Sequence, residues 1–109
     1  MEIKNIPFEV FDLENIPPQE HAGFTGKALW KTVQRGDIRI RIVEYTPGYL
    51  ADHWCEKGHA LFVLDGSFVS ELKNGKKQTL TKGMGYLVAD NTDAHRSYTE
   101  NGVKLLIVD

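Results

Sequence analysis

The sequence predicts an all-β protein through residue alternation, turn chemistry and the absence of a helical pattern. In DIRIRIVEY (37–45), Ile38, Ile40 and Ile42 alternate with polar or charged residues, which is the period of a half-buried strand. Turn pairs such as Asn74-Gly75 recur at intervals of roughly ten residues, as they do between the strands of a sandwich or small barrel. No window of helical length carries apolar residues at the spacing of an amphipathic helix.

The N-terminal segment differs from the rest of the chain. It shows no clear period and contains Pro7, Pro17 and Pro18, so we predict an arm over residues 1–25 that holds at most one strand. From Lys27 onwards strand and turn signals follow one another, which predicts a single domain over residues 26–109.

Each predicted strand is bounded by a turn signal. The strand at 37–45 ends at Pro47-Gly48, and the apolar run HALFVLD (59–65) ends at Asp65-Gly66, which we interpret as a turn before SFVSEL (67–72). The remaining predicted strands are 77–80, which follows the hairpin pair Asn74-Gly75, then 84–89, 95–99 and 103–109, of which the last two are joined through Asn101-Gly102.

Composition excludes several classes of protein. With 13 Lys and Arg against 15 Asp and Glu, the formal net charge is −2, so the chain lacks the basic surface of a non-specific nucleic-acid binder. No apolar run is long enough for a signal peptide or a membrane span. The single cysteine, Cys55, excludes an internal disulfide, and we expect a cytoplasmic protein with a free thiol.

Metal-ligand side chains are concentrated in DHWCEKGH (52–59). His53 and Cys55 would share one face of an extended segment, and the residues after them can turn the chain so that His59 begins the returning strand. His95 begins another strand, after the polar loop 90–94, whereas His21 lies in the arm. We therefore expect His53, Cys55, His59 and His95 to meet, and His21 to lie apart.

Simpler interpretations stand beside this one. A lone histidine is more often a surface or hydrogen-bonded residue than a ligand, and a buried free cysteine often behaves as a small apolar residue. Glu56 and Lys57 are interpreted as solvated turn residues. The spacing alone does not decide between a metal site and these alternatives, because a His-x-Cys pair is much less specific than paired Cys-x-x-Cys motifs.

The spacing His53-x-Cys55-x3-His59-x6-Gly66 resembles the first motif of the cupin family, His-x-His-x3–4-Glu-x6-Gly. GMGYLVADNTDAH (83–95) resembles the second motif, without its proline and with a longer loop. The stretch ADHWCEKGH with HRSYT is similar to small single-domain cupins named for an Asp-His-Cys-Trp motif, although Trp54 precedes Cys55 here. The resemblance covers residues 47–109 and implies a small antiparallel β-barrel, the jelly roll.

The resemblance also implies a metal site at His53, Cys55, His59 and His95. Cys55 stands where the family has a histidine and His59 where it has a glutamate, so all four positions keep a ligand atom. Imidazole and thiolate favour a divalent transition metal, with zinc first and nickel, copper or iron(II) as alternatives, over magnesium or calcium. Four protein ligands would make a closed site, whereas three histidines with Cys55 off the metal would leave an open position.

Neighbouring positions predict a pocket for a small organic ligand. By strand parity Leu61 and Val63 share a face with His59, Ser97 and Thr99 share one with His95, and Tyr45 shares one with the two arginines Arg39 and Arg41. Those arginines are interpreted as the solvent-facing side of their strand, although an inward arginine would select a carboxylate. Trp54 should point away from the metal, and Trp30 is interpreted as core.

The function hypotheses come from three classes. One is a metal-dependent enzyme, by analogy a dioxygenase or isomerase acting on a small molecule; the others are a non-enzymatic binding module and a structural domain pinned by its metal. No acid/base pair or nucleophile stands out beyond the ligands. We also expect a homodimer, with KALWKTV (27–33) and the Ile38–Ile42 stripe as candidate contact surfaces, and neither a membrane nor nucleic acid as partner.

Overall fold

The computed structural model describes residues 2–109 and confirms the all-β prediction. Its strands are β1 (Gln19–Ala22), β2 (Lys27–Arg35), β3 (Ile38–Tyr45), β4 (His59–Leu72), β5 (Lys77–Thr81), β6 (Gly85–Val88), β7 (His95–Tyr98) and β8 (Val103–Val108). One turn of 3₁₀ helix covers Leu13–Asn15. Among residues 2–109 no helix has the length and apolar character needed to cross a membrane.

The strands pair antiparallel around the long strand β4. One sheet runs β1-β2-β3-β8-β4, with β6 on the first half of β4, while the second half of β4 pairs with β5 and β7. The predicted hairpin is confirmed, since β4 and β5 flank Asn74-Gly75. Because β4 belongs to both layers, its first residue and the first residue of β7 are brought to one end of the barrel.

The predicted turn at Asp65-Gly66 is wrong, because β4 continues through it. A β-bulge lies between Val63 and Asp65, so the buried positions change from Leu61 and Val63 before it to Phe68 and Ser70 after it. An extra residue in one strand exchanges its inward-facing and outward-facing positions and bends the strand, which lets β4 pass from one layer to the other. Gly66 adopts φ +79°, and a Cβ there would stand 2.5 Å from the carbonyl oxygen of Gly102.

A contiguous apolar core fills the space between the layers. Its members come mainly from β4 and β8, and the largest fully buried apolar ones are Phe68, Leu61, Leu105 and Val43. Burying such side chains is the main source of stability in a domain of this size. The core occupies one part of the barrel, and the other part holds the cavity described below.

The N-terminal arm is joined to the barrel. β1 pairs antiparallel with β2, and Glu9 forms an ion pair with Arg35 on the same strand. Residues of the arm and of the isoleucine stripe together line a shallow cavity, which is bordered by Ile3, Ile6, Phe11, Val33, Ile38 and Ile40. The arm therefore covers part of the stripe that was expected to face a second copy. The division of the chain at residue 26 stays a prediction.

Candidate metal centre and cavity

Three of the four predicted ligands meet at the end of the barrel. His59 is the first residue of β4 and His95 the first residue of β7, while Cys55 lies in the connection that leads to β4. Paired backbone hydrogen bonds of 2.7 and 3.0 Å between Cys55 and His95 hold this connection against β7. One ligand atom from each of the three side chains lies within 4.8 Å of the other two.

His95 is held in one tautomer. Its Nδ1 lies 2.8 Å from the carbonyl oxygen of Asp93, which can only accept, so Nδ1 carries the hydrogen and donates it. The Nε2 atom is buried and has no hydrogen-bond partner among residues 2–109. A histidine whose second nitrogen donates to a backbone carbonyl is oriented as metal-bound histidines usually are.

His59 also presents a free nitrogen. Its Nε2 lies 3.0 Å from the hydroxyl of Tyr86, and its Nδ1 is buried without a partner. Burial, with a further contribution from nearby His95, lowers the pKa of His59 to about 4. The ring is therefore neutral at pH 7, which is the form that coordinates a metal.

Cys55 and His95 influence each other's protonation. The imidazole of His95 lowers the pKa of the Cys55 thiol, against the opposing effect of burial. In turn the neighbouring Cys55 raises the pKa of His95. Since the thiolate is the metal-binding form of cysteine, this environment prepares Cys55 for coordination.

These residues fit a transition-metal ion. Two buried imidazole nitrogens without partners lie beside a thiol, and an unpartnered buried polar atom is otherwise costly. In a tetrahedral zinc site the donors lie about 2.0–2.3 Å from the metal and hence about 3.5 Å apart. A spacing of at most 4.8 Å therefore needs only a small contraction to reach coordination.

His53 lies outside this cluster. Its side chain is 72% exposed, and its Nδ1 is 2.6 Å from a carboxylate oxygen of Asp52. His53 does line the same cavity, so coordination by it would require the ring to leave Asp52 and turn inwards. Its role as a ligand stays a prediction. His21 lies apart, as expected, and stacks on Trp30 with ring centroids 4.0 Å apart.

A cavity of about 310 Å³ opens onto the three clustered side chains. Tyr45, Leu61 and Ser97, three of the predicted pocket residues, lie on its wall. Val63 and Thr99 do not reach it. Val63 is packed in the core, and Thr99 is 1% exposed, with its hydroxyl donating to the carbonyl of Ser67.

The interpretation of Arg39 and Arg41 as solvent-facing is wrong. Both line the cavity, and Arg41 is only 5% exposed. Arg39 donates from Nε and Nη2 to the two carboxylate oxygens of Asp109, at 2.9 and 2.8 Å, and Arg41 Nη2 donates to the same carboxylate at 3.2 Å. The two arginines of β3 thus face inwards. Its isoleucines face outwards, where the arm covers Ile38 and Ile40.

Comparison of the sequence with protein-family models and with curated proteins finds no match. Solved structures do match. A cupin-like protein of Thermotoga maritima superposes with a TM-score of 0.73 at 16% identity, over 94% of this chain and 80% of that one. The polyketide cyclase RemF of Streptomyces resistomycificus superposes with a TM-score of 0.78 at 15% identity, over 94% of this chain and 78% of that one. The chain adopts the cupin fold. A predicted oxalate decarboxylase of Thermotoga maritima also superposes, with a TM-score of 0.77 at 16% identity, over 92% of this chain and 96% of that one.

Within this cupin fold, two tryptophans occupy different settings. Trp30 packs against the core but also lines the cavity, and the guanidinium carbon of Arg41 lies 4.4 Å from its ring centroid. Trp54 lies off the cavity wall, as predicted, and the guanidinium carbon of Arg96 lies 4.6 Å from its ring centroid. The interpretation of Trp30 as a core residue therefore describes only part of its surroundings.

Tyr86 and Asp109 line the cavity but were not predicted from the sequence. Tyr86 lies in the segment that resembles the second cupin motif, and its register partner Leu61 is on the cavity wall. Asp109 ends the apolar run VKLLIVD as a lone acid, and its backbone pairs with that of Arg39. A single acid at the end of a buried strand was a signal, but its arginine partners are 68 and 70 residues away in sequence.

Proposed function

We propose that this protein is a metal-binding cupin in which Cys55, His59 and His95 hold a divalent transition-metal ion at a cavity for a small organic ligand. The observation that carries the proposal is the pair of buried, unpartnered imidazole nitrogens beside a thiol of lowered pKa. Within residues 2–109 neither nitrogen has a hydrogen-bond partner.

Zinc is the metal that this donor set favours. One thiolate and two neutral imidazoles are donors of intermediate softness, which bind zinc well and magnesium or calcium poorly. Nickel, copper and iron(II) also accept such donors, so the analysis of bound metal must distinguish them. The thiol also suits a reducing compartment, and we propose the cytoplasm.

Three protein ligands would leave a coordination position open to the cavity. A metal with an open position supplies Lewis-acid chemistry, polarising a bound carbonyl or lowering the pKa of bound water. The chain's own residues orient the donors, because Tyr86 contacts the ring of His59 and the Asp93 carbonyl accepts from His95. This favours a metal-dependent enzyme over a structural site.

A non-enzymatic ligand-binding module is the second candidate. The cavity wall carries no pair of carboxylates that could divide acid and base roles, since Asp109 is its one acidic side chain among residues 2–109. The cupin fold itself does not decide, because one fold hosts many unrelated functions. Turnover of a bound ligand would distinguish the two candidates.

Elemental analysis tests the metal site. Protein purified without chelators or added metal should contain about one equivalent of a transition metal per chain. We expect His59→Ala and His95→Ala to lose most of it, because each removes one of three ligands. His21→Ala is the matched control and should keep it. Equal occupancy in all three variants, with unchanged circular dichroism, would contradict the site.

A further inference from the structure

Arg41 is a buried cation whose hydrogen-bonding capacity is largely unused. Its guanidinium has five N–H groups, and the one hydrogen bond it makes within residues 2–109 is to Asp109. Its Nε is buried without a partner. The residue is 5% exposed and lines the cavity. A planar donor group in this setting is suited to an acceptor that enters the cavity.

The charges on the cavity wall do not balance. Arg39, Arg41 and Lys57 line the cavity, and Asp109 is the one carboxylate on its wall among residues 2–109. Arg96 lines it too, but its charge is paired with Glu71, whose carboxylate oxygen lies 2.7 Å from Arg96 Nε. Asp109 is engaged on both oxygens by Arg39, so Arg41 shares a carboxylate that is already paired. An incompletely compensated buried charge is unfavourable, and a bound anion would compensate it.

Four tyrosine and tryptophan side chains also line the cavity. Tyr45 and Tyr49 stack with ring centroids 4.2 Å apart, and Trp30 and Tyr86 line the same cavity. Such surfaces favour flat ligands. The cavity volume of about 310 Å³ is at the small end of the range for ligand pockets. It would hold about ten water molecules at ~30 Å³ each. A ligand that replaces them should have on the order of ten non-hydrogen atoms.

We propose that Arg41, supported by Arg39, forms a carboxylate-binding subsite, and that the ligand of this cavity is a small, flat aromatic or unsaturated monocarboxylate. Its carboxylate would accept hydrogen bonds from Arg41, while its flat part packs against the tyrosines. The inference rests on the proposed function, because the cluster of Cys55, His59 and His95 lines the same cavity.

Benzoate and its neutral isostere benzamide test the subsite. Titrated calorimetrically into metal-loaded protein in a buffer without carboxylates, benzoate should bind at least about tenfold more tightly than benzamide, because only the charged ligand compensates Arg41. Equal affinity for the two ligands, or no binding of benzoate at millimolar concentration, would overturn the proposal. This comparison uses the wild-type chain and does not depend on a variant folding.

Arginine variants test whether Arg41 causes the preference for benzoate. Arg41→Met keeps an apolar stem but should weaken benzoate binding at least about tenfold with unchanged metal content, and Arg41→Lys should give an intermediate loss. Arg35→Met is the matched control, since Arg35 also pairs with a carboxylate but lies outside this cavity. Unchanged benzoate binding in Arg41→Met would overturn the assignment and indicate direct binding to the metal.

The same titration separates this inference from the proposed function. A protein that takes up no metal by elemental analysis but still prefers benzoate over benzamide would support the subsite and refute the metal site. A metal-loaded protein that binds both ligands alike would refute the subsite and leave the metal site standing.

Discussion

Replacing Asp109 by asparagine would remove the counter-charge of a buried guanidinium while keeping the shape of the side chain. The Asp109 side chain is 1% exposed, and the side chains of its partners Arg41 and Arg39 are 7% and 26% exposed. Removing one partner of a buried ion pair costs about 3–5 kcal/mol, because the remaining charge is left uncompensated. We expect a loss of that size in the free energy of unfolding.

The loss would be large relative to the stability of one domain. Total stabilities are about 5–15 kcal/mol, and an unfolding entropy of about 2.1 cal/mol/K per residue makes each kcal/mol worth about 4.4 °C for a chain of this length. Thermal unfolding followed by circular dichroism should therefore show a decrease in Tm of about 13–22 °C. Glu9→Gln is the matched control, because the Glu9–Arg35 pair has similar chemistry at the surface, and it should change Tm little.

The pH dependence gives a second readout. Burial alone would raise the pKa of Asp109, but hydrogen bonding to Arg39 and the charges of both arginines lower it below its ordinary value. A depressed folded-state pKa stabilises the protein above the unfolded value of about 3.9, and this contribution is lost as the pH falls through the folded-state pKa. The stability difference between wild type and Asp109→Asn should be present at pH 7 and shrink at acidic pH. A decrease in Tm no larger than that of Glu9→Gln would refute the reasoning.

Two further predictions concern Cys55 and assembly. Cys55 in the metal-loaded protein should react slowly with a thiol reagent and become reactive once a strong chelator is added, because coordination shields the thiolate. Fast labelling in both states would exclude ligation, and slow labelling in both would mean that the thiol is simply buried. The exposed edge strand β1 pairs only with β2, so we expect a homodimer; a monomeric mass by light scattering at tens of micromolar protein would contradict it.

Local patterns in the sequence predicted the strands well. Alternation in residues 37–45 and the turn pair Asn74-Gly75 correspond to β3 and to the β4–β5 hairpin. These features depend on backbone geometry within a few residues, so they can be predicted without knowing the fold. The sequence predicts a turn at Asp65-Gly66, whereas the structure has a bulge there, because bulges and turns both use such residues. Whether the chain reverses there depends on β8, which pairs with β4 on both sides of the bulge.

The sequence by itself determined that this is an all-β chain with histidine and cysteine donors placed to meet at one end. Only the tertiary structure decided which donors meet and what they face. Cys55 joins His59 and His95 because its backbone pairs with β7, whereas the exposed ring of His53 turns to Asp52. Arg39 and Arg41 lie on the inward face of β3, where Asp109, which is distant in sequence, supplies their counter-charge. The arm covers Ile38 and Ile40 on the other face. The pattern of a strand shows that its two faces differ, but contacts far away in sequence determine which face is buried.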